Sequence, residues 1–294
     1  MKAASLRILA HAKVNLTLEV LRRRDDGFHE IRSLMVPLAL ADRLTLTPGG
    51  RRLRIEVPND PGLEGEHNLA FRAASAFRDR FGLPGIAIRL EKRIPVAAGL
   101  GGGSSDAAAV LRGLAALRGI DPALLPPLAE ALGSDVPFFL SERPALVAGR
   151  GERLEPAPRL PPLWLLLVKP EFGISAADAY RAWRGVDPTR FRIRQATWET
   201  ARTAPALGKL LRNDLQPGCL ALQPPLAQLL ERLGKLRAAG VLMSGSGSTC
   251  FAAFGSRPAR DAAARRFERA PGETVILTRT LGSGFKTAGT GGRR

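Results

Sequence analysis

The stretch 95–111, PVAAGLGGGSSDAAAVL, constrains the fold more than any other part of the chain. Before it, Ile86, Ile88 and Leu90 alternate with residues of the opposite face, which is the period of a half-buried strand. Four glycines then fall between positions 99 and 103, and AAAVLRGLAAL follows with apolar residues at helical spacing. The sequence therefore predicts a strand, a glycine loop and a helix in direct succession.

The glycine loop has the composition of a phosphate-binding site. Glycine lets the backbone approach a ligand closely and adopt positive φ. A helix N-terminus adds unpaired N–H groups and a partial positive charge, both of which suit phosphate. Ser104, Ser105 and Asp106 are residue types that cap helix starts. A tight turn is the alternative interpretation, but a turn needs fewer glycines than this loop has.

The pattern excludes two common phosphate loops and resembles a third. No Gly-Lys-Ser/Thr ends the loop, so it is not a Walker loop. Ser104 stands where the third glycine of a dinucleotide fingerprint belongs. The run 95–105 resembles, without a gap, the signature of the GHMP small-molecule kinases, in which this loop wraps the triphosphate of ATP. The resemblance implies ATP contacts by Pro95, Gly99, Leu100, Gly101, Gly102, Gly103, Ser104 and Ser105.

The N-terminal region contains a lysine in an apolar context. Residues 6–21 alternate in two places, which predicts two strands flanking Lys13, and 35–40 and 42–47 read as two further strands. Lys13 either reaches water from a strand edge or directs its charge at phosphates or a reacting hydroxyl. The run 10–46 resembles one branch of the GHMP kinases, whose acceptor is a cytidine-diphosphate-linked alcohol. By that resemblance Lys13 and Asn15 lie at the acceptor hydroxyl, whereas Phe28 and His29 hold the cytosine.

Two departures from the family pattern affect the predicted cytosine site. Most relatives carry tyrosine in place of Phe28, so stacking on the base is kept and a hydroxyl hydrogen bond is lost. The family usually has Ser-Thr where this chain has Ser175 and Ala176. The resemblance places Tyr180 as a second aromatic residue over the cytosine. A half-buried helix aromatic is the alternative interpretation of Tyr180.

A single aspartate follows the short helix predicted at 126–132. Asp135 stands between a small residue and an apolar, strand-like run in GSDVPFF, and by itself it could cap or turn the chain. The segment resembles the second motif of the family, whose aspartate lies beside the acceptor hydroxyl and the lysine that corresponds to Lys13. A carboxylate and an ammonium group that converge on one atom suit proton abstraction and charge stabilisation.

The C-terminal half contains a weaker glycine motif. Residues 241–254, VLMSGSGSTCFAAF, predict a strand, a loop and a strand, and any hairpin could use such a loop. Resemblance to the third GHMP motif implies that Gly245, Ser246 and Gly247 close the site near the phosphates. Asn213 and Asp214 match a family pair that gives structural support.

The net charge of +17 has two interpretations. It either marks a site for an anionic partner such as nucleic acid, or forms a basic background that attracts phosphorylated small molecules. The basic residues are almost all arginine, are scattered along the chain, and come with few aromatic residues and without a recognised nucleic-acid motif. We therefore expect no specific nucleic-acid partner. No apolar run reaches 18 residues, which predicts no membrane span. Cys219 and Cys250 give neither a disulfide framework nor a metal spacing, and predict free thiols in a reducing cytoplasm.

The resemblance implies an α+β fold of two domains. Residues 1–152 form an ATP-binding half like ribosomal protein S5 domain 2, and 153–294 form a ferredoxin-like half. The implied activity is phosphoryl transfer from ATP to an alcohol, with Mg²⁺ to balance charge on the transferred group and no metal ligands assigned to the protein. The alternatives are a homoserine or mevalonate type of GHMP kinase, or a basic nucleic-acid-binding protein with a kinase-like fold. The sequence assigns no role to 190–203, predicts a disordered tail after Gly282, and leaves the oligomeric state open.

Overall fold

Strands and helices alternate along the chain. The structure, a computed structural model, describes residues 5–83, 85–141, 143–185, 195–282 and 288–289, with backbone alone at 195–197 and 288–289. Within these ranges the strands are β1 (Leu6–Arg23), β2 (His29–Pro48), β3 (Leu53–Glu56), β4 (Ile86–Glu91), β5 (Ala145–Gly149), β6 (Arg153–Pro156), β7 (Trp164–Lys169), β8 (Arg212–Asn213), β9 (Gly240–Met243), β10 (Cys250–Phe254), β11 (Thr274–Arg279) and β12 (Ala288–Gly289).

The helices pack on two sheets built from these strands. They are α1 (Leu69–Phe81), α2 (Gly102–Arg118), α3 (Pro126–Leu132), α4 (Val136–Ser141), α5 (Ala176–Ala182), α6 (Gln195–Thr200), α7 (Ala204–Gly208), α8 (Gln216–Leu222), α9 (Pro225–Gly234) and α10 (Arg257–Arg266). In the part of the chain that is described, none of them is long and apolar enough to cross a membrane. Residues 190–194 and most of the tail predicted to be disordered lie outside the described residues.

The first sheet is dominated by two long strands, β1 and β2, and its main order is β12-β1-β2-β4-β3. In addition, β8 pairs with β1, β5 pairs with β2, and β6 pairs with β5. The sequence predicted a break within each of β1 and β2, and this was wrong: they run for 18 and 20 residues. Irregularities in their pairing, one of them between His11 and Lys13, replace the breaks. At this point the register with β2 shifts by two residues, since His11 pairs with Ala41 and Lys13 pairs with Pro37. Ile8 and Ala10 lie in one core, and Val14 lies in the next.

The helical layer on this sheet carries the glycine loop. The sequence predicts a helix over 68–81, with Leu69, Ala73 and Phe77 on one face. Helix α1 starts there, because the Asn68 side chain accepts a hydrogen bond from the N–H of Ala70 at 2.9 Å. Helix α2 starts earlier than predicted. Gly101, at φ +72°, precedes its first turn, and no side chain of the described residues caps it. The prediction that Ser104, Ser105 and Asp106 cap this helix is therefore wrong; they lie within its first two turns.

The run after Asp135 also differs from the prediction. It forms the short helix α4 rather than a strand. The four residues Val136–Phe139 are all buried, against α2 and α3, so the run lacks the alternation that distinguishes a strand from a helix. The carbonyl of Phe139 accepts a hydrogen bond from the Arg112 guanidinium, which fixes α4 against α2.

The second sheet is antiparallel, with the order β11-β7-β10-β9. Numbered along the chain within this half, the strands follow the order 4-1-3-2, with α10 between the last two, so the ferredoxin-like prediction is confirmed. One of its two central strands, β7, is apolar from Trp164 to Val168, and Leu165–Val168 are all buried. The predicted strand–loop–strand of 241–254 forms as β9 and β10 and places the loop 244–249 against the glycine loop.

Candidate active site

A cavity of about 1200 Å³ lies where the middle of β1, the start of α2, the loop 244–249 and helix α5 meet. Its lining includes most of the side chains that the sequence singled out. They are Lys13, Asn15, Phe28, His29, Pro95, Gly99, Gly101, Gly102, Gly103, Ser104, Asp135, Tyr180, Gly245 and Ser246. Residues from both halves of the chain therefore converge on one cavity.

Lys13 lies at the irregularity of β1, beneath the glycine loop. Its Nζ donates hydrogen bonds to Asn15 Oδ1 at 2.7 Å and to the carbonyl of Gly99 at 3.0 Å. Asp135 Oδ2 is 3.7 Å from the same nitrogen, and the Asp135 side chain is 36% exposed against 5% for Lys13. Burial lowers the pKa of Lys13, and the nearby charge of Asp135 partly restores it. The cavity thus holds a buried cation beside a carboxylate that solvent and substrate can reach.

Asn15 is fixed in orientation from both ends of its amide. Its oxygen accepts from Lys13, and its Nδ2 donates to Ser33 Oγ at 2.7 Å. Ser33 Oγ in turn donates to the carbonyl of Thr17 at 2.5 Å. This chain runs from β2 through β1 to the ammonium group, so the position of Lys13 is set by the sheet.

The glycines of the loop meet two different demands. A Cβ on Gly99 would collide with the carbonyl of Ser244, and one on Gly101 would lie 2.6 Å from Phe139 Cζ. Both glycines have positive φ. These positions are therefore determined by protein packing and backbone conformation. Gly103 differs, because it is exposed and helical, and a Cβ added there would have Leu69 Cδ1, at 3.4 Å, as its nearest neighbour.

Three predicted site residues do not line the cavity. Leu100 is buried in the core between the sheets. Ser105 Oγ donates to the carbonyl of His11 at 2.7 Å, which ties α2 to β1. A Cβ on Gly247 would lie 2.8 Å from Met243 Sδ, so this glycine faces the second half. The side chains of Leu100 and Ser105 thus pack inward, and the ATP contacts predicted for these two residues stay a prediction.

The loop 244–249 is held against the glycine loop by side chains of the second half. Asn213 Nδ2 donates to the carbonyls of Met243 and Gly245 at 2.8 and 2.7 Å. Ser244 Oγ donates to the carbonyl of Gly99 at 3.0 Å. Asp214 Oδ2 accepts from the N–H of Val20 at 3.1 Å. These contacts give Asn213 and Asp214 the supporting geometry that the sequence predicts.

Aromatic side chains gather at the end of the cavity away from the glycine loop. His29 stacks on Tyr180 with ring centroids 4.9 Å apart and 23° between the planes, and Trp183 meets His29 edge-on at 5.4 Å. Burial and the charge of Arg23 lower the pKa of His29, which favours the neutral imidazole. Phe28 is 48% exposed. A flat, uncharged ring can bind in such a place by stacking.

Sequence reasoning missed several lining residues, among them Lys92, Asp106, Arg150 and Trp183. Lys92 Nζ donates to Asp42 Oδ2 at 2.5 Å and to Asp106 Oδ2 at 2.8 Å. Burial holds the pKa of Asp106 above its ordinary range. No pattern in the sequence pairs these residues, because Asp42 and Asp106 are 64 positions apart. For Trp183 the sequence offers one signal, its position three residues after Tyr180, which is about one helical turn.

The geometry combines a helix N-terminus with free backbone donors, a lysine–aspartate pair and an aromatic pocket. Within the described ranges, no group of three or more His, Cys, Asp or Glu side chains is arranged to hold a metal ion. Anions suit the helix end, a reacting hydroxyl suits the Lys13–Asp135 pair, and a flat ring suits the far end. The cavity can therefore bring a phosphate donor and a ring-bearing alcohol to one point.

Comparison with known proteins supports this arrangement. Residues 68–143 match the family described as "GHMP kinases N terminal domain", and 198–274 match "GHMP kinases C terminal". The chain is 50% identical to a 4-diphosphocytidyl-2-C-methyl-D-erythritol kinase of Anaeromyxobacter dehalogenans (strain 2CP-C), over 93% of this chain and 90% of that protein. It is 44% identical to the enzyme of that name from Pelotomaculum thermopropionicum, over 93% and 97%. A crystal structure of 4-(cytidine 5'-diphospho)-2C-methyl-D-erythritol kinase matches with a TM-score of 0.75 at 40% identity, covering 94% of this chain and all of that one.

Proposed function

Because the chain belongs to the GHMP kinase family, in the branch of the 4-diphosphocytidyl-2-C-methyl-D-erythritol kinases, we propose that it phosphorylates 4-diphosphocytidyl-2-C-methyl-D-erythritol with ATP. The acceptor is the 2-hydroxyl, and the product is the 2-phosphate of the non-mevalonate route to isoprenoid precursors. One observation carries the proposal: the buried Lys13 ammonium lies 3.7 Å from Asp135 in a cavity with a glycine-rich helix start at one end and stacked aromatic residues at the other.

The start of α2 fits the triphosphate of ATP. Gly102, Gly103 and Ser104 line the cavity within the first turn, and the helix has no side-chain cap among the described residues. Its first N–H groups are therefore available to phosphate oxygens, with the helix dipole favouring the negative charge. Absence of side chains at 102 and 103 leaves the backbone accessible. These features support a role for the loop in holding the β- and γ-phosphates.

Magnesium fits the same wall of the cavity. The oxygen donors there are Ser104 and Asp106, and Asp106 Oδ1 is buried without a hydrogen-bond partner among the described residues. Mg²⁺ is commonly bound by one or two carboxylates together with substrate phosphates. The ion would neutralise charge that develops on the transferred group. We therefore propose that it arrives with ATP and that Ser104 and Asp106 are the residues beside it.

Asp135 and Lys13 act on the acceptor hydroxyl in this proposal. The hydroxyl oxygen forms a bond to the γ-phosphorus while the bond from that phosphorus to the β–γ bridging oxygen breaks, which releases ADP. Asp135 receives the hydroxyl proton, or in a loose transition state chiefly orients the hydroxyl. Lys13 is held by Asn15 and Gly99, and its charge stabilises the oxygens of the transferred group.

The finer features of the proposal follow from the family. Residues 1–152 act as the ATP-binding half and 153–294 as the C-terminal half. Phe28, His29 and Tyr180 hold the cytosine. Cys219 and Cys250 are free and buried, which supports work in a reducing compartment such as the cytoplasm.

A substrate panel tests the proposed function. Purified protein with ATP and Mg²⁺ should phosphorylate 4-diphosphocytidyl-2-C-methyl-D-erythritol, with kcat/KM at least about a hundredfold above that for homoserine or mevalonate, because neither alcohol carries a ring for the aromatic pocket. Phosphorylation of homoserine or mevalonate in preference to the cytidine substrate would overturn the assignment. Tight binding of sheared duplex DNA, with no kinase activity on any alcohol, would favour the nucleic-acid alternative.

Asp135→Asn should lower kcat at least about a hundredfold, because it removes the proton acceptor and keeps the shape of the side chain. Both substrates should still bind. The melting temperature should fall only slightly, because Asp135 is partly exposed and Lys13 keeps its hydrogen bonds to Asn15 and Gly99. Steady-state kinetics, calorimetric titration and thermal unfolding measure the three quantities. Turnover within a few-fold of wild type by the folded variant would leave Asp135 a structural residue.

Phe28→Ala should raise the KM for the cytidine substrate about 5- to 100-fold, since stacking on a base contributes about 1–3 kcal/mol. The KM for ATP should not change, and it serves as the internal control. The ring is half exposed, so the variant should remain folded. An equal rise in both KM values would show that Phe28 supports the cavity in general and does not bind the base.

Gly103→Val should weaken ATP binding at least about tenfold, because a branched side chain would stand where backbone meets phosphate. Gly103 is the clean position for this test, since a side chain at Gly101 would also strike Phe139. The substitution is compatible with the helix and exposed to solvent. Calorimetry with each substrate separately is the measurement. Normal ATP affinity with an unchanged melting temperature would make the loop a turn only.

A further inference from the structure

We propose that Arg150 binds the diphosphate of the cytidine substrate and so fixes the distance between the base and the reacting hydroxyl. This inference rests on the proposed function and adds a specificity-determining residue that the sequence motifs did not indicate. The diphosphate carries the substrate's negative charge, and it joins the cytidine to the alcohol. A cation between the aromatic pocket and the Lys13–Asp135 pair is therefore the group that would recognise it.

Arg150 has this intermediate position. It lies in the turn that follows β5 and lines the cavity, and its backbone N–H donates to Glu152 Oε2 at 2.8 Å. The next residue, Gly151, packs so closely on Ser134 that a Cβ there would lie 3.1 Å from Ser134 Cβ. The turn thus borders the residue beside Asp135. On the other side, the Arg150 guanidinium lies 5.1 Å from the centroid of the Phe28 ring.

The guanidinium is available to a ligand. Across the described ranges, no side-chain or backbone oxygen accepts a hydrogen bond from it. The nearby carboxylate of Asp26 is already bound by Arg24, with N–O distances of 2.9 to 3.2 Å. Arg181, a second arginine of the cavity lining, is instead paired with Asp178 at 2.6 Å. Arg150 therefore keeps its hydrogen-bond donors unused at the wall of the cavity.

An arginine on an aromatic ring is suited to this task. The planar guanidinium can stack on the Phe28 ring by one face while its edge N–H groups donate to two phosphate oxygens. Such bidentate bonds to phosphate are stronger than neutral hydrogen bonds and fix direction. Phe28 would then contact the base and position the arginine. The alternative is that Arg150 only braces the Phe28 ring.

Calorimetry with cytidine, CMP and CDP separates these two roles. In the wild-type enzyme, affinity should rise from cytidine to CDP. Arg150→Gln should lower affinity for CDP about 10- to 100-fold, as expected for losing charge-assisted hydrogen bonds, and should change affinity for cytidine less than twofold. Arg150→Lys keeps the charge but lacks the planar guanidinium, so its affinity for CDP should lie between those of wild type and Arg150→Gln. For the complete substrate, KM should rise by a similar factor while kcat changes little.

Arg181→Gln is the matched control, because it removes one positive charge from the same cavity but from a paired side chain. In this variant the affinity should rise from cytidine to CDP by the same factor as in wild type. An equal loss in Arg181→Gln would show a general field effect and would overturn the proposal. Equal weakening of cytidine and CDP in Arg150→Gln would make Arg150 a brace for Phe28, and unchanged CDP affinity would exclude it from the site.

Failure of the proposed function gives a different result. Wild-type protein would then neither phosphorylate the cytidine substrate nor bind CDP more tightly than cytidine, and the Arg150 proposal would fall with it. If wild type performs the reaction and Arg150→Gln retains full CDP affinity, only the Arg150 proposal is wrong. Thermal unfolding of each variant confirms that the proteins compared are folded.

Discussion

The carbonyl of Gly99 is the point on which the site depends. It accepts a hydrogen bond from Lys13 Nζ and another from Ser244 Oγ, each at 3.0 Å. One oxygen of the glycine loop thereby joins the first sheet, the start of α2 and the loop of the second half. Lys13 can be buried because this carbonyl, Asn15 and Asp135 surround its charge, and an unpaired buried ammonium would be strongly unfavourable. The same carbonyl therefore joins the two halves of the chain and fixes the position of the Lys13 ammonium.

Burial of Lys13 strengthens the electrostatic effect of its charge but also disfavours the charged form. In water an ammonium is strongly hydrated. Its field is weakened by the high dielectric constant of water and is screened over about 8 Å at physiological ionic strength. Beneath the glycine loop that hydration is replaced by fixed hydrogen bonds, so the charge is already oriented when substrate binds. The same burial lowers the pKa of Lys13, and Asp135 opposes this shift. In the proposed reaction the carboxylate therefore stabilises the charged lysine as well as acting on the hydroxyl.

The sequence predicts the parts of this fold that local chemistry determines. Helix α1 begins at its Asn68 cap, α3 spans the predicted 126–132, and the strand–loop–strand of 241–254 forms as expected. Predictions failed where long-range packing decides. Irregular pairing carries β1 through Lys13 without a break, and burial from several sides makes a helix of 136–141. Arg150 and Trp183 escaped notice because only the folded chain brings them beside Phe28 and His29.

The glycine motif shows that a sequence pattern can identify a site without revealing why each of its residues is needed. Gly99 and Gly101 are required by the protein itself, since side chains there would meet Ser244 and Phe139. Gly103 meets no such obstacle, since an added Cβ would make only an ordinary contact with Leu69. In the letters of the sequence these glycines are identical. Their separate reasons appear only when the neighbours of each missing Cβ are known, and the same holds for Ser104, which lines the cavity, and Ser105, which ties α2 to β1.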